Sequence, residues 1–368
     1  MTIPTVSVVM SVFNGESYLA EAIESILDQT FSDFEFIVIN DGSTDRSGAI
    51  LESYVTRDLR LHAYHQENTG LVGALNRGCA IARGKYIARM DADDIAIGDR
   101  LMQQVAFMEK HPEIGVLGSA VETIDRTGKT LGTHVNPVED KELKAALLRS
   151  DCPFWHPSVL MRTNTFISAG GYRQIVIGAE DHDLWLRIAD HSQLANLGTV
   201  LLKYRLHPGQ VTVDTNRRYV LSWLATQAAA AARRQGQADP LDSIGELTPG
   251  FLEKIGVSQT ALNAALTSRY LRSVSTMCEA GQYAVVLDLL NDVFRAPEWN
   301  YTRDRPAADL YLMAAQAFWH QGEYAKSVLN VIHAFRIRPL VLGRPLKSFL
   351  RQLRYYVSQF SASKIQPI

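Results

Sequence analysis

Three carboxylates follow directly on an apolar run near residue 90. Asp91, Asp93 and Asp94 come after the run 86–90, which has the composition of a buried strand. In an open α/β sheet, ligands bind at the carboxyl ends of the strands. Carboxylate oxygens suit Mg²⁺ or Mn²⁺, which proteins usually hold through one or two carboxylates together with substrate phosphates. The stretch therefore predicts a divalent-cation site, and the alternative is an acidic surface turn before the helix expected near Asp99.

Two further polar clusters end apolar runs earlier in the chain. The first run ends at Asn14, and the second ends in a turn-forming cluster that contains Asp41. Four such runs alternate with predicted amphipathic helices: 6–13, 34–39, 61–65 and 86–90. This alternation favours parallel βαβ units, whose strands carry their carboxyl ends at one edge of the sheet. The clusters around Asn14, Asp41 and Asp91 are therefore expected to meet there.

A second group of acids opens the predicted helix that begins near residue 180. Glu180, Asp181 and Asp183 stand in its first turn, where the helix dipole stabilises carboxylates, so a structural role is the alternative to a catalytic one. Trp185 in the same helix is expected to pack in the core rather than to form part of a binding site. His156 is a candidate ligand-binding residue, and the alternative is a structural histidine.

Composition and charge exclude several classes of protein. The chain has 368 residues, which suggests two or more domains. It is 46% hydrophobic with a net charge of −2, so nothing draws it towards nucleic acid. Three scattered cysteines fit neither a disulfide framework nor a zinc site, which favours a reducing cytosol. Neither a signal peptide nor an apolar run of about 18 residues is present, so a soluble or peripheral protein is expected.

Five motifs in this order resemble the family 2 glycosyltransferases with the GT-A fold. They are SVVMSVFNGESYLAEAIESILDQTF, FIVINDGSTDRS, ARMDADD, GAEDHDLWLRI and YRLHPGQVT. The resemblance implies a catalytic domain at 1–212, of the α/β class, with a mostly parallel sheet flanked by helices. It also implies Mn²⁺ or Mg²⁺ as the cofactor and a nucleotide-diphospho-sugar donor. UDP is the default nucleotide, with GDP and dTDP open. The sugar would be transferred with inversion at the anomeric carbon.

The resemblance also implies roles for single residues. Asp181 matches the catalytic base, with Glu180 as the second candidate, and Asp93 matches the metal-binding acid. The expected contacts to the nucleotide-sugar are Phe13, Asn14, Asp41, Asn76, Arg89, Asp91 and His156, and the expected metal ligands are Asp93, Asp91 and His207. One departure is Leu75 before Asn76, where many relatives carry arginine. Two possibilities are open at this position: a donor contact is lost, or Arg77 or Arg89 replaces it.

The second half of the chain is predicted to be helical. Residues 213–250 are expected to form a helix and a linker, and 251–368 an all-α domain. Two segments, 278–297 and 319–339, resemble each other, and their glycines Gly281 and Gly322 lie 41 residues apart. This pattern is typical of tetratricopeptide-like helical hairpins, and a plain helical extension is the alternative.

The C-terminal segment carries a charge signal. After Glu323 the chain has no acid and eight lysines or arginines, and apolar residues between 346 and 360 follow helical spacing. A basic amphipathic helix of this kind suits an anionic membrane surface, and the alternatives are a cap on the helical domain or a protein partner.

The sequence thus predicts a cytoplasmic glycosyltransferase, with a peripheral position on the inner face of the plasma membrane as a further expectation. The acceptor would be a saccharide or a lipid-linked saccharide in the synthesis of a surface polysaccharide or glycoconjugate. Two alternatives stay open: a nucleotidyltransferase, and a non-catalytic helical-repeat scaffold with a vestigial nucleotide-sugar domain.

Overall fold

The computed structural model of the protein describes residues 3–149, 152–207, 216–279, 281–295 and 305–338. The chain divides into two compact units, Met1–Val257 and Ser258–Ile368. The predicted segment 213–250 therefore falls in the first unit, and the predicted domain boundaries at 212 and 250 stay predictions.

The first unit is built from strands and helices that alternate along most of its length. Within the described residues its strands are β1 (Val6–Val12), β2 (Phe34–Asp41), β3 (Leu61–Gln66), β4 (Tyr86–Asp91), β5 (Ile95–Ala96), β6 (Ile114–Ile124), β7 (Thr130–His134), β8 (Leu160–Arg162) and β9 (Gln193–Arg205). Its helices are α1 (Leu19–Leu27), α2 (Ser47–Val55), α3 (Gly70–Ile81), α4 (Arg100–Lys110), α5 (Asp140–Arg149), α6 (Thr163–Ser168), α7 (Glu180–Ala189), α8 (Asn216–Arg234) and α9 (Pro249–Lys254).

One sheet carries all of these strands, in the order β3-β2-β1-β4-β8-β6-β9-β5, with β7 paired to β6. The first four strands are mutually parallel, as the alternation of apolar runs and helices predicts. β8 then pairs antiparallel with both β4 and β6, so the sheet as a whole is mixed. The α/β class of the sequence prediction is confirmed.

The register of the parallel strands brings the polar clusters to one edge. Val12 of β1 lies opposite Asn40 of β2, and Ser11 of β1 lies opposite Asp91 of β4. Neighbouring strands are about 4.8 Å apart, so Asp41 and Asp91 end two strands that flank β1 at a separation of roughly 10 Å.

Alternation along the strands sorts side chains onto two faces of the sheet. Val8 and Met10 face the apolar core that contains α1 and α4. Val9 and Ile87 face the core that contains α3 and α7. Residues 89 and 91 share the parity of Ile87, so the side chains of Arg89 and Asp91 lie on the α3–α7 side.

β9 differs from its prediction. The sequence suggests two strands, 193–197 and 201–206, whereas the structure has one continuous strand paired with β6. The register moves from Leu197 to Val200 over a single step of β6, so the two residues between them bulge from the ladder. Gly198 in this bulge interrupts the apolar pattern without ending the strand.

The second unit is helical, which confirms the helical region of the prediction. Its described helices are α10 (Gln259–Glu279), α11 (Tyr283–Arg295), α12 (Arg305–His320) and α13 (Tyr324–Ile337). Gly281 and Gly322 have φ values of 71° and 79° and end α10 and α12 with the same pair of backbone hydrogen bonds. The sequence repeat therefore corresponds to a repeated helix–glycine–helix turn. The basic segment after residue 338 lies outside the described residues.

None of the described helices combines the length and the apolarity that crossing a bilayer requires.

Candidate active site

Four residues after β4 form an acidic loop, 91–94, which we call the acid loop. One carboxylate oxygen each of Asp91, Asp93 and Asp94 lies within 4.8 Å of the others. Burial and the neighbouring Asp91 raise the pKa of Asp93. Burial together with Asp91 and Asp93 raises the pKa of Asp94 well above its usual range. Three carboxylates this close repel one another, and a cation between them would relieve that repulsion.

His207 stands beside this loop, as the sequence predicts for a metal ligand. Its Nε2 lies 2.8 Å from Oδ2 of Asp93, and both side chains remain partly accessible. One oxygen of Asp94, Oδ2, is buried and has no hydrogen-bond partner in the part of the chain that the structure describes. Asp93 and His207 are thus two accessible candidate ligands, and the neighbouring carboxylates offer further oxygens. This set fits the oxygen-rich coordination of Mn²⁺ or Mg²⁺, and the imidazole favours Mn²⁺.

Arg89 lies beneath the acids and is only 3% exposed. It forms an ion pair with Asp91, while its Nε has no hydrogen-bond partner among the described residues. Burial raises the pKa values of Asp93 and Asp181, and the positive charge of Arg89 opposes both rises. Arg89 therefore acts on the acid loop and on the start of α7 together.

Asp41 is positioned by the loop that leads into α3. Its Oδ1 accepts hydrogen bonds from the backbone N–H and hydroxyl of Thr69, at 2.9 and 3.1 Å, and from Nε2 of Gln66 at 2.6 Å. All three donors contact the same oxygen. No donor to Oδ2 is found among the described residues, so this oxygen suits a ligand N–H.

Asn14 and Phe13 lie at the end of β1, next to this carboxylate. Asn14 has a φ of 53°, which is unusual outside glycine, and its Oδ1 accepts the backbone N–H of Thr44 at 2.8 Å. The hydroxyl of Ser43 accepts the Asn14 N–H at 3.0 Å. Phe13 is 54% exposed despite its apolar ring. The polar turn after β2 thus fixes the end of β1 and leaves an aromatic ring free at the sheet edge.

Glu180 and Asp181 open α7, as predicted. Glu180 is buried, and its Oε2 accepts the backbone N–H of Gly178 at 2.5 Å. Burial and the charge of Asp181 raise the pKa of Glu180 to about 7. Oδ1 of Asp181 accepts the N–H of His182 at 2.7 Å, and the thiol of Cys152 lies 3.9 Å from its Oδ2. Asp181 is the more accessible residue of the two.

The remaining acid of this helix is structural. Asp183 is fully buried and pairs with Arg187, with Oδ2 accepting Nε at 2.9 Å. Arg173 lies 3.7 Å from the other oxygen of Asp183 and also binds Asp239. This network ties α7 to the segment after α8. Trp185 is completely buried, with its ring against those of Phe154 and His156, in line with its expected core role.

His156 contacts Tyr172 on the α3–α7 side, and its Nε2 lies 2.8 Å from the tyrosine oxygen. Burial and the positive charge of Arg89 hold the pKa of His156 well below its usual range. The ring is therefore neutral at pH 7 and is a hydrogen-bonding group rather than a cation.

Asn76 holds the backbone of Tyr172 from both sides. Its Nδ2 donates to the Tyr172 carbonyl at 2.8 Å, and its Oδ1 accepts the Tyr172 N–H at 3.0 Å. Both groups of the amide are thus used within the protein.

Arg77, one of the two candidate arginines for the donor contact, donates to Oε1 of Gln66 at 2.7 Å, next to Asp41.

Two neighbours of the site are not predicted by the sequence. Burial and the carboxylates of the acid loop raise the pKa of Tyr204, which lies close to them on β9. Arg205, the next residue, contacts the acid loop directly. The only sequence signal for both is their position just before His207 in the motif YRLHPGQVT.

This fold and this set of residues define a GT-A glycosyltransferase. Residues 7–170 match the family model described as glycosyl transferase family 2. An uncharacterised glycosyltransferase of Haemophilus influenzae is 34% identical over 57% of this chain and 68% of its own length. The amylovoran biosynthesis glycosyltransferase AmsE of Erwinia amylovora is 33% identical over 59% of this chain and 82% of its own length. The chain belongs to glycosyl transferase family 2.

Two further comparisons agree. The O-antigen biosynthesis glycosyltransferase WbnJ of Escherichia coli is 32% identical over 55% of this chain and 80% of its own length. Among solved structures, residues 1–349 of S. aureus TarS in complex with UDP-GlcNAc match with a TM-score of 0.54. That match covers 90% of this chain and 91% of the other at 16% identity, and it concerns the fold alone.

Proposed function

We propose that this protein moves a sugar from a nucleotide-diphospho-sugar to a saccharide or lipid-linked saccharide, with inversion at the anomeric carbon. The observation that carries the proposal is the placement of Asp41, Asp91 and Asp181 on the α3–α7 side of the sheet. Residues that contact the base, the diphosphate and the acceptor can then lie next to one another along this one side of the sheet. The family assignment supports glycosyl transfer over the nucleotidyltransferase alternative.

The donor is proposed to be a UDP-sugar. The free Oδ2 of Asp41 suits a ring N–H, which uracil, thymine and guanine possess and neutral cytosine lacks. This favours UDP, dTDP or GDP over CMP as the nucleotide. Phe13, exposed at the end of β1, offers a ring face to the base.

Mn²⁺ or Mg²⁺ is the proposed cofactor, held by Asp91, Asp93 and His207. Bound there, the cation would supply positive charge to the departing diphosphate. Arg89 stands beneath these ligands, and its guanidinium, which is paired with Asp91, gives the site a fixed positive charge that does not depend on the cation. This charge helps to hold an anionic donor against a surface crowded with carboxylates.

Asp181 is proposed to take the proton from the attacking acceptor hydroxyl. Burial raises its pKa, which makes the carboxylate a stronger base than that of an ordinary aspartate. Glu180 is less accessible, and its carboxylate is engaged by Gly178, so it is proposed to support the helix start.

The relatives named for amylovoran and O-antigen biosynthesis support a role in making a surface polysaccharide. A cytoplasmic, peripheral position at the inner face of the plasma membrane is proposed with it. Residues 251–368 are the proposed contact with an anionic membrane or with a protein partner.

The test is product analysis with radiolabelled UDP-sugars, Mn²⁺ and an extract of lipid-linked saccharides. Release of UDP with label in the acceptor supports the proposal, whereas pyrophosphate release from UTP and a sugar phosphate would favour the nucleotidyltransferase. Asp181→Asn should lower the rate of transfer by roughly 10²–10⁴-fold. Asp190→Asn at the other end of α7 serves as the matched control, because Asp190 pairs with Arg233 away from the acid loop.

A further inference from the structure

The end of β9 is joined to the acid loop by Arg205, which is only 2% exposed. Its Nε donates to the backbone carbonyl of Asp93 at 2.8 Å. Its backbone N–H donates to Oδ1 of Asp94, also at 2.8 Å. One residue therefore holds two consecutive residues of the acid loop.

The other nitrogens of Arg205 reach different parts of the fold. Nη2 lies 2.5 Å from Oε2 of Glu21 on α1. Nη1 donates to the carbonyls of Asp125 and Arg126, at 3.3 and 3.4 Å, in the turn between β6 and β7. Arg205 thus anchors the acid loop to α1, whose apolar face lies in a hydrophobic core, and to the connection between β6 and β7.

The ring of Tyr18 links the same arginine to His207. The guanidinium carbon of Arg205 lies 4.6 Å from the centroid of the Tyr18 ring. The Tyr18 ring in turn lies 5.1 Å from the ring of His207, whose Nε2 contacts the Asp93 carboxylate. Arg205 therefore acts on Asp93 twice: directly at its carbonyl, and through Tyr18 and His207 at its carboxylate.

We propose that Arg205 is a positioning residue that fixes Asp93 and His207 in the arrangement in which they bind the divalent cation. The inference rests on the cation of the proposed function. Because Arg205 is buried and its donors are directed at protein oxygens, it does not itself contact substrate. The planar fork of guanidinium serves several acceptors at once, whereas the single ammonium group of lysine cannot reach them all.

The test measures protein-bound Mn²⁺ by electron paramagnetic resonance at a fixed UDP concentration, with a protein-free UDP blank. Arg205→Lys keeps the charge but cannot make all of the hydrogen bonds, so Mn²⁺ should bind about tenfold more weakly. Glu21→Gln keeps an acceptor oxygen but removes the charge, and a smaller effect of about threefold is expected. Arg162→Lys is the matched control, because Arg162 also donates to backbone carbonyls but far from the acid loop.

The outcomes separate two failures. If wild-type protein transfers sugar in the presence of chelator and binds no Mn²⁺ with UDP, the proposed cofactor is wrong and the positioning role falls with it. If wild type binds Mn²⁺ and Arg205→Lys binds it equally well, the positioning role alone is overturned. A drop in melting temperature shared by Arg205→Lys and Arg162→Lys, with weaker Mn²⁺ binding in the first only, supports it. Should Arg205→Lys fail to fold, Glu21→Gln decides, because Glu21 is half exposed.

Discussion

Nε2 of His207 lies 2.8 Å from Oδ2 of Asp93, although the two residues are 114 positions apart in the chain. The contact closes the acid loop against the end of β9. It places an imidazole nitrogen beside crowded carboxylate oxygens, which is a ligand set that suits Mn²⁺ better than Mg²⁺. The two predicted metal ligands are thus neighbours in space, although the motifs that contain them, ARMDADD and YRLHPGQVT, lie far apart in the sequence.

We expect His207→Ala to weaken activation by Mn²⁺ more than activation by Mg²⁺, because the ligand that it removes is a nitrogen. The concentration of each ion that gives half-maximal transfer should rise about tenfold for Mn²⁺ and less for Mg²⁺. His111→Ala is the matched control, since His111 also pairs with a carboxylate, Glu113, on the surface. Equal effects on the two ions would contradict a ligand role for the imidazole.

Asp181→Asn should lower kcat by roughly 10²–10⁴-fold, because an amide cannot accept the acceptor's proton. Binding of UDP measured by calorimetry should be unchanged. In the wild type, kcat/KM should fall as pH drops through the raised pKa of Asp181, since the protonated carboxyl is no base. If Asp181→Asn retains transfer while Glu180→Gln abolishes it, the base is Glu180 instead.

Glu180→Gln should make the protein more stable at alkaline pH. The folded protein holds the Glu180 proton up to a pKa of about 7, whereas the unfolded chain releases it near 4.5. Stability from this group is therefore complete below pH 4.5 and is lost as pH rises through 7.

The stability gain of Glu180→Gln over wild type should thus grow between pH 5 and pH 8, by on the order of 2–3 kcal/mol. Urea denaturation at the two pH values measures it. Glu109→Gln provides the comparison, because the partly exposed Glu109 pairs with Lys85 and its pKa is lowered. A gain that is the same at both pH values would argue against a protonated Glu180.

Asn76→Ala should destabilise the fold by about 1–3 kcal/mol, since it leaves the N–H and carbonyl of Tyr172 unpaired. The melting temperature measures this change, and the KM for the donor shows whether Asn76 also contacts the nucleotide-sugar. A raised KM with unchanged stability would support the donor contact that the family resemblance implies for Asn76.

Much of the fold was predictable because its signals are local. The buried strands before Asn14 and Asp41 can be recognised from consecutive apolar residues, and their parallel pairing follows from the helix between them. The antiparallel insertion of β8 between β4 and β6 has no such signal. Its three residues, Leu160–Arg162, are placed by contacts with distant strands.

The same division holds for the site. Asp91, Asp93 and Asp181 stand in short motifs, from which the roles proposed for them were predicted. Arg205 reaches Asp93 across 112 residues, and Asn76 reaches Tyr172 across 96. Long-range partners of this kind depend on the tertiary arrangement of the strands and helices. Local patterns in the sequence do not reveal that arrangement.

The most direct test of the account is a calorimetric titration of UDP into the protein with Mn²⁺, with Mg²⁺ and with a chelator. The account predicts UDP binding that is strong with Mn²⁺ and much weaker with chelator. It also predicts that Asp93→Asn removes the difference, while Asp99→Asn, six residues further on, leaves it intact. UDP binding that ignores both the cation and Asp93→Asn would contradict a cation site in the acid loop.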